Sequence, residues 1–435
     1  MKVYFETLGC PKNVYDTQTA QGILEDNHFE IVRSPEAAEV IVVNTCGFIN
    51  DAKKESIDRI FEMAAYKEEG KKLVVSGCLS QRYGDELFEE MPEVDLFVGV
   101  NEYEKLPELL RQLDQRRTIR SRCAEKVLER TARKLDENPY SATLKIAEGC
   151  NNVCAYCVIP QIRGGYRSKR EEDILKEAEE LSAAGCRELI LIAQDVTYYG
   201  MDLYGELRLP QLLRKLCRIS GIRWIRLMYC YEDRITDELI KTIAEEEKIC
   251  NYLDIPLQHA SDRVLRAMNR RSTSASIHQT LEKLREAVPD IHIRTTLIVG
   301  FPGETEDDYE QLCHLVETEQ FARLGVFTYS QEENTPAGEM EGQIDEEIKE
   351  QRLDGIMRRQ MEISLNQNQE KIGKVFQVMV DEIDQDGSFI GRTRYDAPEI
   401  DNAVIFPSDK KHEPGDLAEV LIEDAFDYDI VGREI

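Results

Sequence analysis

Three cysteines lie close together in the segment AEGCNNVCAYCVIP, at Cys150, Cys154 and Cys157. Their spacing lets one loop direct three thiolates at a single inorganic centre, and thiolates favour zinc or iron–sulfur centres. A structural zinc site would need a fourth ligand, and no His or further Cys occurs within twenty residues on either side. The pattern therefore favours a four-iron cluster with one iron open to an exogenous ligand, with zinc or chance spacing as the alternative.

A second set of cysteines, Cys10, Cys46 and Cys78, is spread along the chain but shares one pattern. Each follows an apolar, β-branched run and precedes a helical stretch, which predicts the end of a strand in a βα unit. Parallel strands end at the same sheet edge, where open α/β sheets bind ligands. We therefore predict a second three-cysteine cluster, although each cysteine alone could be a small buried residue.

The remaining cysteines show no such pattern. Six of the twelve are predicted to be buried or half-buried thiols: Cys123, Cys186, Cys217, Cys230, Cys250 and Cys313.

The pattern of strands and helices that must position these residues predicts an α/β protein. The length of 435 residues suggests roughly three domains. Residues 1–138 read as a parallel α/β sheet domain that ends in a charged connector at 111–139. Residues 139–367 contain six apolar runs alternating with amphipathic helices, which predicts a partial (β/α)6 barrel and a connecting helix. Short strands and the turns DQDG and EPGD in residues 368–435 predict a small antiparallel, OB-like β-barrel.

Polar residues at the barrel's strand ends are candidates for cofactor contacts, because barrel active sites lie there. Gln194 and Asp195 end the second strand, Gln258 and His259 end the fourth, and Arg294 lies within the fifth. Each could instead be a hydrogen-bonded residue of the barrel.

Two further segments near these strands contain residues that could bind a ligand or substrate. GFPGET at 300–305 is similar to a phosphate loop but lacks the Gly-Lys-Ser/Thr ending. Arg163 and Arg167 follow the cysteine loop, and they either shape a substrate entrance or form a solvated basic patch.

The Cys150, Cys154 and Cys157 spacing resembles the signature of the radical S-adenosylmethionine (radical SAM) superfamily. The resemblance implies that the open iron chelates the amino and carboxylate groups of S-adenosylmethionine. It also implies that Tyr156 lies against the adenine, although Tyr156 could be a packed loop aromatic. By the same resemblance the end of strand two, with Gln194 and Asp195, contacts the cofactor's amino group.

The superfamily resemblance extends to two more strands of the barrel. It implies that strand four, with Gln258, lies near the ribose. It also makes Arg294 of strand five a cofactor contact and places the Gly-Pro motif that follows near the adenine.

The order of three domains covers the whole chain and resembles the methylthiotransferases, whose last domain is of the TRAM type. That family divides mainly between enzymes that modify adenosine in tRNA and enzymes that modify an aspartate of ribosomal protein S-12. The segments GCNNVCAYCVIPQIRGGYRS, IAQDVTYYG and RTRYDAPEIDNAV look like the second branch. The resemblance implies two 4Fe-4S clusters, S-adenosylmethionine, a reducing electron donor, and insertion of sulfur and a methyl group at the aspartate β-carbon.

The charge distribution bears on the choice of substrate. The chain carries a net charge of −29, and residues 368–435 contain 17 acidic and 7 basic residues, a net of −10. A module that grips RNA should be basic, whereas an acidic one attracts a basic ribosomal protein, free or within the small subunit. We therefore expect that direct binding of nucleic acid does not dominate substrate recognition. Alternatively, the acidic charge serves only to keep this domain soluble.

Two other functions remain open from the sequence. The same mechanism could methylthiolate an adenosine in tRNA, and the chain could be a non-catalytic carrier of electrons with two clusters. With no apolar run of about 18 residues and no signal-peptide pattern, we expect a cytoplasmic protein that is not bound to a membrane.

Overall fold

The computed structural model describes residues 1–113, 117–120, 133–135 and 139–435. Most of the predicted connector at 111–139 lies outside these residues, and so does Cys123. The α/β fold class is confirmed, with a parallel sheet, a partial barrel and a small closed barrel in that order.

The N-terminal sheet has six parallel strands in the order β2-β1-β3-β4-β5-β6. Its strands are β1 (Lys2–Thr7), β2 (Glu30–Ile31), β3 (Val40–Thr45), β4 (Lys72–Gly77), β5 (Leu96–Val98) and β6 (Arg117–Ile119). Helices cover it at α1 (Pro11–Asp26), α2 (Asn50–Ala64), α3 (Cys78–Glu90) and α4 (Leu106–Leu110). All six residues of β3 are buried, as expected for a parallel strand covered on both faces.

The central sheet also has six strands, in the order β14-β13-β12-β11-β10-β7, and confirms the partial barrel. Its strands are β7 (Ser141–Lys145), β10 (Glu188–Ile192), β11 (Trp224–Leu227), β12 (Ile249–Asp254), β13 (His292–Val299) and β14 (Arg323–Thr328). A separate antiparallel pair is formed by β8 (Ala147–Glu148) and β9 (Arg167–Ser168).

The helices of this region follow the strands. They are α5 (Ile159–Arg163), α6 (Glu171–Ala183), α7 (Met201–Tyr204), α8 (Leu209–Leu216), α9 (Asp237–Glu245), α10 (Asp262–Ala267), α11 (Ser274–Ala287), α12 (Glu306–Glu319) and α13 (Glu346–Gln369).

The C-terminal region closes into a five-stranded barrel, β15-β16-β17-β19-β18. Its strands are β15 (Val375–Ile383), β16 (Phe389–Thr393), β17 (Val404–Phe406), β18 (Leu417–Ala425) and β19 (Ile430–Glu434). The sequence pattern predicts four strands here, one fewer than the structure has, because the last apolar run contains a turn that the pattern does not show. Residues 426–429 reverse the chain there, so the run forms the antiparallel pair β18 and β19.

The chain divides into two compact units that are described separately below. The cysteine unit comprises Met1–Glu137, Lys145–Ile174 and Glu332–Thr335, and the barrel unit comprises Asn138–Leu144, Leu175–Gln331 and Pro336–Ile435. The predicted boundaries at 1–138, 139–367 and 368–435 stay a prediction. No helix among the described residues is both long and apolar enough to cross a membrane.

A buried ionic group joins the two β-structures of the barrel unit. Glu188, the first residue of β10, pairs with Arg226 of β11 at 2.9 Å and with Arg392 of β16 at 2.5 Å. Ser141 donates a further hydrogen bond to Glu188 at 2.8 Å. Glu188 and Arg226 have no exposed surface, so each depends on its partner for compensation of its charge.

Replacing Glu188 with Gln should destabilise the barrel unit by about 3–5 kcal/mol, because the buried Arg226 loses the carboxylate it pairs with and Arg392 keeps only Asp381. Trp224 is the single tryptophan and lies on β11 beside this group, so its fluorescence during urea unfolding measures the loss. Burial alone would raise the pKa of Glu188, but Arg392 and Arg226 hold it below its ordinary value.

The contribution of Glu188 should therefore be complete above the ordinary Glu pKa of about 4.3 and should disappear as pH falls through the lower folded value. Glu423→Gln is the matched control, since the Glu423–Arg433 pair is about half exposed. It should cost less than about 1 kcal/mol. Equal losses in the two variants would contradict this account.

Candidate metal centres and cofactor residues

The predicted second cysteine set is brought together by three adjacent strands. Cys10, Cys46 and Cys78 follow β1, β3 and β4, which are neighbours in the sheet. Gly9 lies so close to Cys46 that a Cβ added there would be 2.8 Å from the Cys46 Cβ and 3.2 Å from its Sγ. The three strand ends therefore converge as the βα spacing predicts.

Asn13, in the first turn of α1, connects these strand ends. Its side-chain amide donates to the carbonyl oxygen of Leu8 at 2.8 Å and to that of Thr45 at 3.0 Å. Its Oδ1 lies 3.7 Å from the Cys78 Sγ. One fully buried side chain thus contacts the chain near all three cysteines.

Asn44, near the end of β3, holds Asn13 in turn. Its side-chain amide donates to the Asn13 carbonyl oxygen and to Thr17 Oγ1, both at 2.9 Å. The cysteine patterns of the sequence do not point to Asn13 or Asn44. The available signal was a polar residue within the apolar run VIVVNTC, where an unpaired amide would be costly.

The electrostatics of this set fit a thiolate-bound centre. Burial, together with the smaller effect of the charges of Cys78 and Cys10, raises the pKa of the Cys46 thiol to about 11. Burial also raises the pKa of Cys78, while the charge of Arg163 opposes this increase. Thiols that disfavour each other's ionisation are close together, and metal binding is what makes such thiolates stable.

The first cysteine set occupies a compact loop of the same unit. The backbone N–H of Asn152 donates to Cys150 Sγ, and that of Ile159 donates to Cys157 Sγ, both at 3.4 Å. Burial raises the pKa of Cys157, and the neighbouring Cys154 and Cys150 raise it further. Tyr156, between two of these cysteines, is half-buried. Hydrogen bonds from N–H groups to sulfur are among the features that tune iron–sulfur clusters.

Each of the two cysteine sets offers three thiolates. A structural zinc ion is held by four ligands, whereas a four-iron cluster held by three cysteines leaves one iron open to another ligand. The number of thiolates in each set therefore fits a four-iron cluster better than zinc. Within the described ranges, no group of three or more His, Cys, Asp or Glu side chains is arranged around a single metal ion.

Arg163 ends α5, six residues after Cys157, and is buried with 2% of its surface exposed. Its guanidinium contacts Asp16 at 2.5 Å, Asn13 Oδ1 at 2.8 Å and Cys78 Sγ at 3.2 Å. This burial excludes a solvated basic patch at Arg163, while a role at a substrate entrance stays a prediction. Its partners are distant in sequence, so no local signal could have revealed them.

In the barrel unit, the candidates Gln194, Asp195 and Gln258 follow strands, whereas Arg294 lies within one. Gln258 is buried and has a left-handed backbone with φ of +73°, which is strained for this residue type. Its N–H donates to the Thr296 carbonyl oxygen, and its own carbonyl oxygen accepts from the Ile298 N–H, both at 2.8 Å. Strained residues held in this way cluster at functional sites, which supports Gln258 as a candidate.

The other candidates have structural partners in the same unit. Gln194 and Asp195 follow β10; Asp195 is buried, forms an ion pair with Arg234 and accepts a hydrogen bond from Thr197 at 2.5 Å. Arg294 lies in the first half of β13 and pairs with Asp254 at 3.0 Å and Asp401 at 3.4 Å. A cofactor role for these residues stays a prediction.

The GFPGET segment does not offer its amides to a ligand. Glu304 turns back and accepts from the N–H groups of Gly300 at 2.9 Å and Phe301 at 3.3 Å. Its other oxygen accepts from Arg352 at 2.7 Å, and the Nε2 of His259 lies 3.3 Å from the oxygen that accepts from Gly300. A carboxylate of the chain thus occupies the position that a phosphate would need.

Three known families match successive parts of the chain. Residues 2–99 match the uncharacterized protein family UPF0004, residues 144–316 the radical SAM superfamily, and residues 372–435 the TRAM domain. The cysteine loop and the barrel together therefore define a radical SAM enzyme.

Relatives along the full length narrow the class. The chain is 48% identical to the ribosomal protein uS12 methylthiotransferase RimO of Desulforamulus reducens, over 98% of each chain. It is 47% identical to the protein of the same name from Clostridioides difficile, over 99% of this chain and 98% of that one. This chain therefore belongs to the RimO family of radical SAM methylthiotransferases.

Solved structures support the fold alone. The radical S-adenosylmethionine methyltransferase TsrM from Kitasatospora setae matches with a TM-score of 0.56 at 15% identity, over 78% of this chain and 75% of that one. The cobalamin-dependent S-adenosylmethionine radical enzyme OxsB matches with a TM-score of 0.53 at 14% identity, over 82% and 56%.

Gly77, directly before Cys78, provides a test of the converging strand ends. Its φ is +96°, and an added Cβ would lie 2.4 Å from Asn44 Oδ1 and 2.5 Å from the Thr45 carbonyl oxygen. Gly77→Ala should therefore displace Cys78, and iron and sulfide after anaerobic reconstitution should fall by about half.

Gly70→Ala is the control, because Gly70 also has a positive φ of +82° but nothing lies within 4 Å of an added Cβ. It should lose about 1–2 kcal/mol of stability from backbone strain and keep its full iron content. Full iron in Gly77→Ala would show that the clash is relieved without moving the ligand.

Proposed function

We propose that this chain inserts sulfur and a methyl group at the β-carbon of an aspartate of small-subunit ribosomal protein S-12, using two 4Fe-4S clusters and S-adenosylmethionine. The observation that carries the proposal is the presence of two three-cysteine sets in one compact unit. The names of the full-length relatives support the choice of substrate. The reaction would take place in the cytoplasm with a reducing electron donor.

The bound cofactors would supply the reactive chemistry, namely a 5′-deoxyadenosyl radical from S-adenosylmethionine at one cluster and a sulfur atom at the other. The chain's own residues bind and orient these groups. Cys150, Cys154 and Cys157 would hold the first cluster, while Cys10, Cys46 and Cys78 would hold the second.

The cofactor contacts are proposed on position and resemblance. Tyr156 lies within the cysteine loop, where it could stack on an adenine. The barrel unit would supply four further contacts to S-adenosylmethionine: Gln194, Asp195, Gln258 and Arg294. Gln258 is the best supported of these, because its backbone is strained.

The surface of the C-terminal barrel supports a basic protein substrate. The turn between β18 and β19 exposes about half of Phe426 and Tyr428 beside the acidic Asp424 and Asp427. Exposed aromatic residues among carboxylates suit a segment rich in Lys and Arg. Asp429 has another role, since its carboxylate accepts the Ala403 N–H at 2.8 Å and so fixes the chain before β17.

Mass spectrometry of possible substrates tests the function. The reconstituted full chain is incubated with S-adenosylmethionine, sulfide and a reductant, together with either S-12 or tRNA. We expect S-12 to gain one methylthio group in place of hydrogen, with fragmentation locating it on an aspartate. Modification of tRNA instead of S-12 would replace the proposal by its alternative.

Two cysteine variants separate the roles of the clusters in this assay. Cys154→Ala should abolish the formation of 5′-deoxyadenosine. Cys46→Ala should retain some cleavage of S-adenosylmethionine but form no methylthiolated product. Methylthiolation by Cys46→Ala would exclude the second cluster from sulfur insertion.

The acidic turn makes a separate prediction about binding. The double variant Asp424→Lys with Asp427→Lys should weaken S-12 binding on the order of tenfold, and rising salt should weaken binding to the unchanged chain. Glu89→Lys with Glu90→Lys makes the same charge change at an exposed site at the end of α3. Isothermal titration should show little effect of that control pair, and equal effects of both pairs would refute a specific role for the turn.

A further inference from the structure

Arg163 belongs to the loop of the first cysteine set but contacts a sulfur of the second. It ends the short helix that follows Cys157, and Val158 and Ile162 of this segment pack against Cys78 and Val100. All these residues are in the cysteine unit. The guanidinium is therefore held in place by the chain on both sides.

Arg163 belongs to a group of four buried charged side chains, two cations and two carboxylates. Asp16 accepts from Arg163 at 2.5 Å and from Lys145 at 2.7 Å. Glu148 accepts from Lys145 at 2.7 Å and lies 3.5 Å from Arg163. None of these four residues is more than 8% exposed, so the group is shielded from solvent screening.

Within this balanced group, Arg163 makes the contact to sulfur. Its Nη1 faces the two carboxylates, while its Nη2 faces Asn13 Oδ1 at 2.8 Å and Cys78 Sγ at 3.2 Å. The planar guanidinium can satisfy both directions at once because its donors are fixed in a fork. Ion pairing alone would not require the second nitrogen to point at a thiol.

We propose that Arg163 is a positioning residue that raises the reduction potential of the cluster held by Cys10, Cys46 and Cys78. The inference rests on the proposed second cluster. Reduction adds a negative charge to a thiolate-bound centre, and a buried cation that donates to one of its sulfurs stabilises that charge. The loop of the first cluster thereby sets a property of the second.

The test measures the potential of the second cluster in the full chain. Cys150, Cys154 and Cys157 are replaced with Ala so that the second cluster alone is reconstituted, and its reduction is followed by electron paramagnetic resonance against potential. In this background Arg163→Met should lower the equilibrium constant for reduction by about tenfold or more, which is a shift of 59 mV for one electron.

Lys145→Met is the matched control for lost charge and packing. Lys145 binds the same two carboxylates, but its hydrogen bonds are to Asp16 and Glu148 rather than to a cysteine. A purely structural role of the charged group would give similar shifts in both variants. We expect the shift in Lys145→Met to be less than a third of that in Arg163→Met.

Arg163→Lys keeps the experiment decisive if Arg163→Met does not take up iron. It retains a cation for Asp16 and Glu148 but lacks the second nitrogen of the fork, so it should lower the potential by an intermediate amount. An unchanged potential in whichever variant loads its iron would overturn the inference. A Cys150, Cys154 and Cys157 triple variant that binds no iron would instead refute the proposed second cluster.

Discussion

The convergence of three parallel strand ends is the constraint on which the cysteine unit depends. Parallel strands bring Cys10, Cys46 and Cys78 to one edge, but they leave backbone carbonyl groups there without ladder partners. Asn13 satisfies two of these, at Leu8 and Thr45, from the first turn of the following helix. The side chain that satisfies these two groups thus also connects the chain segments that carry the three cysteines.

Buried charged groups are the second feature that organises the structure. In each unit they are paired with groups of opposite charge. In the cysteine unit two cations face two carboxylates, and in the barrel unit Glu188 lies between two guanidinium groups. Such groups add little net stability compared with apolar packing, but losing one member is costly. They therefore select one arrangement of the elements over others, which a site built from distant segments requires.

The sequence predicted the strands and both cysteine sets because those signals are local. Apolar runs mark β1, β3 and β4, and the cysteines follow them directly. The roles of Asn13, Arg163 and Asp429 could not be predicted in this way. Each acts through a partner at least 26 residues away, as with Asp429 and Ala403, so only the folded chain reveals it. The turn at residues 426–429 could not be predicted for another reason: its sequence, FDYD, contains neither Gly nor Pro.

The region that matches the radical SAM superfamily, residues 144–316, is divided between the two compact units. The match begins at the first barrel strand and includes the cysteine loop, yet Lys145–Ile174 makes its compact contacts with residues 1–137. A stretch that is matched together with the barrel strands therefore packs in the same unit as Cys10, Cys46 and Cys78. The contact from Arg163 to the Cys78 Sγ follows from this packing, because it joins the loop of one cysteine set to a cysteine of the other within the same unit.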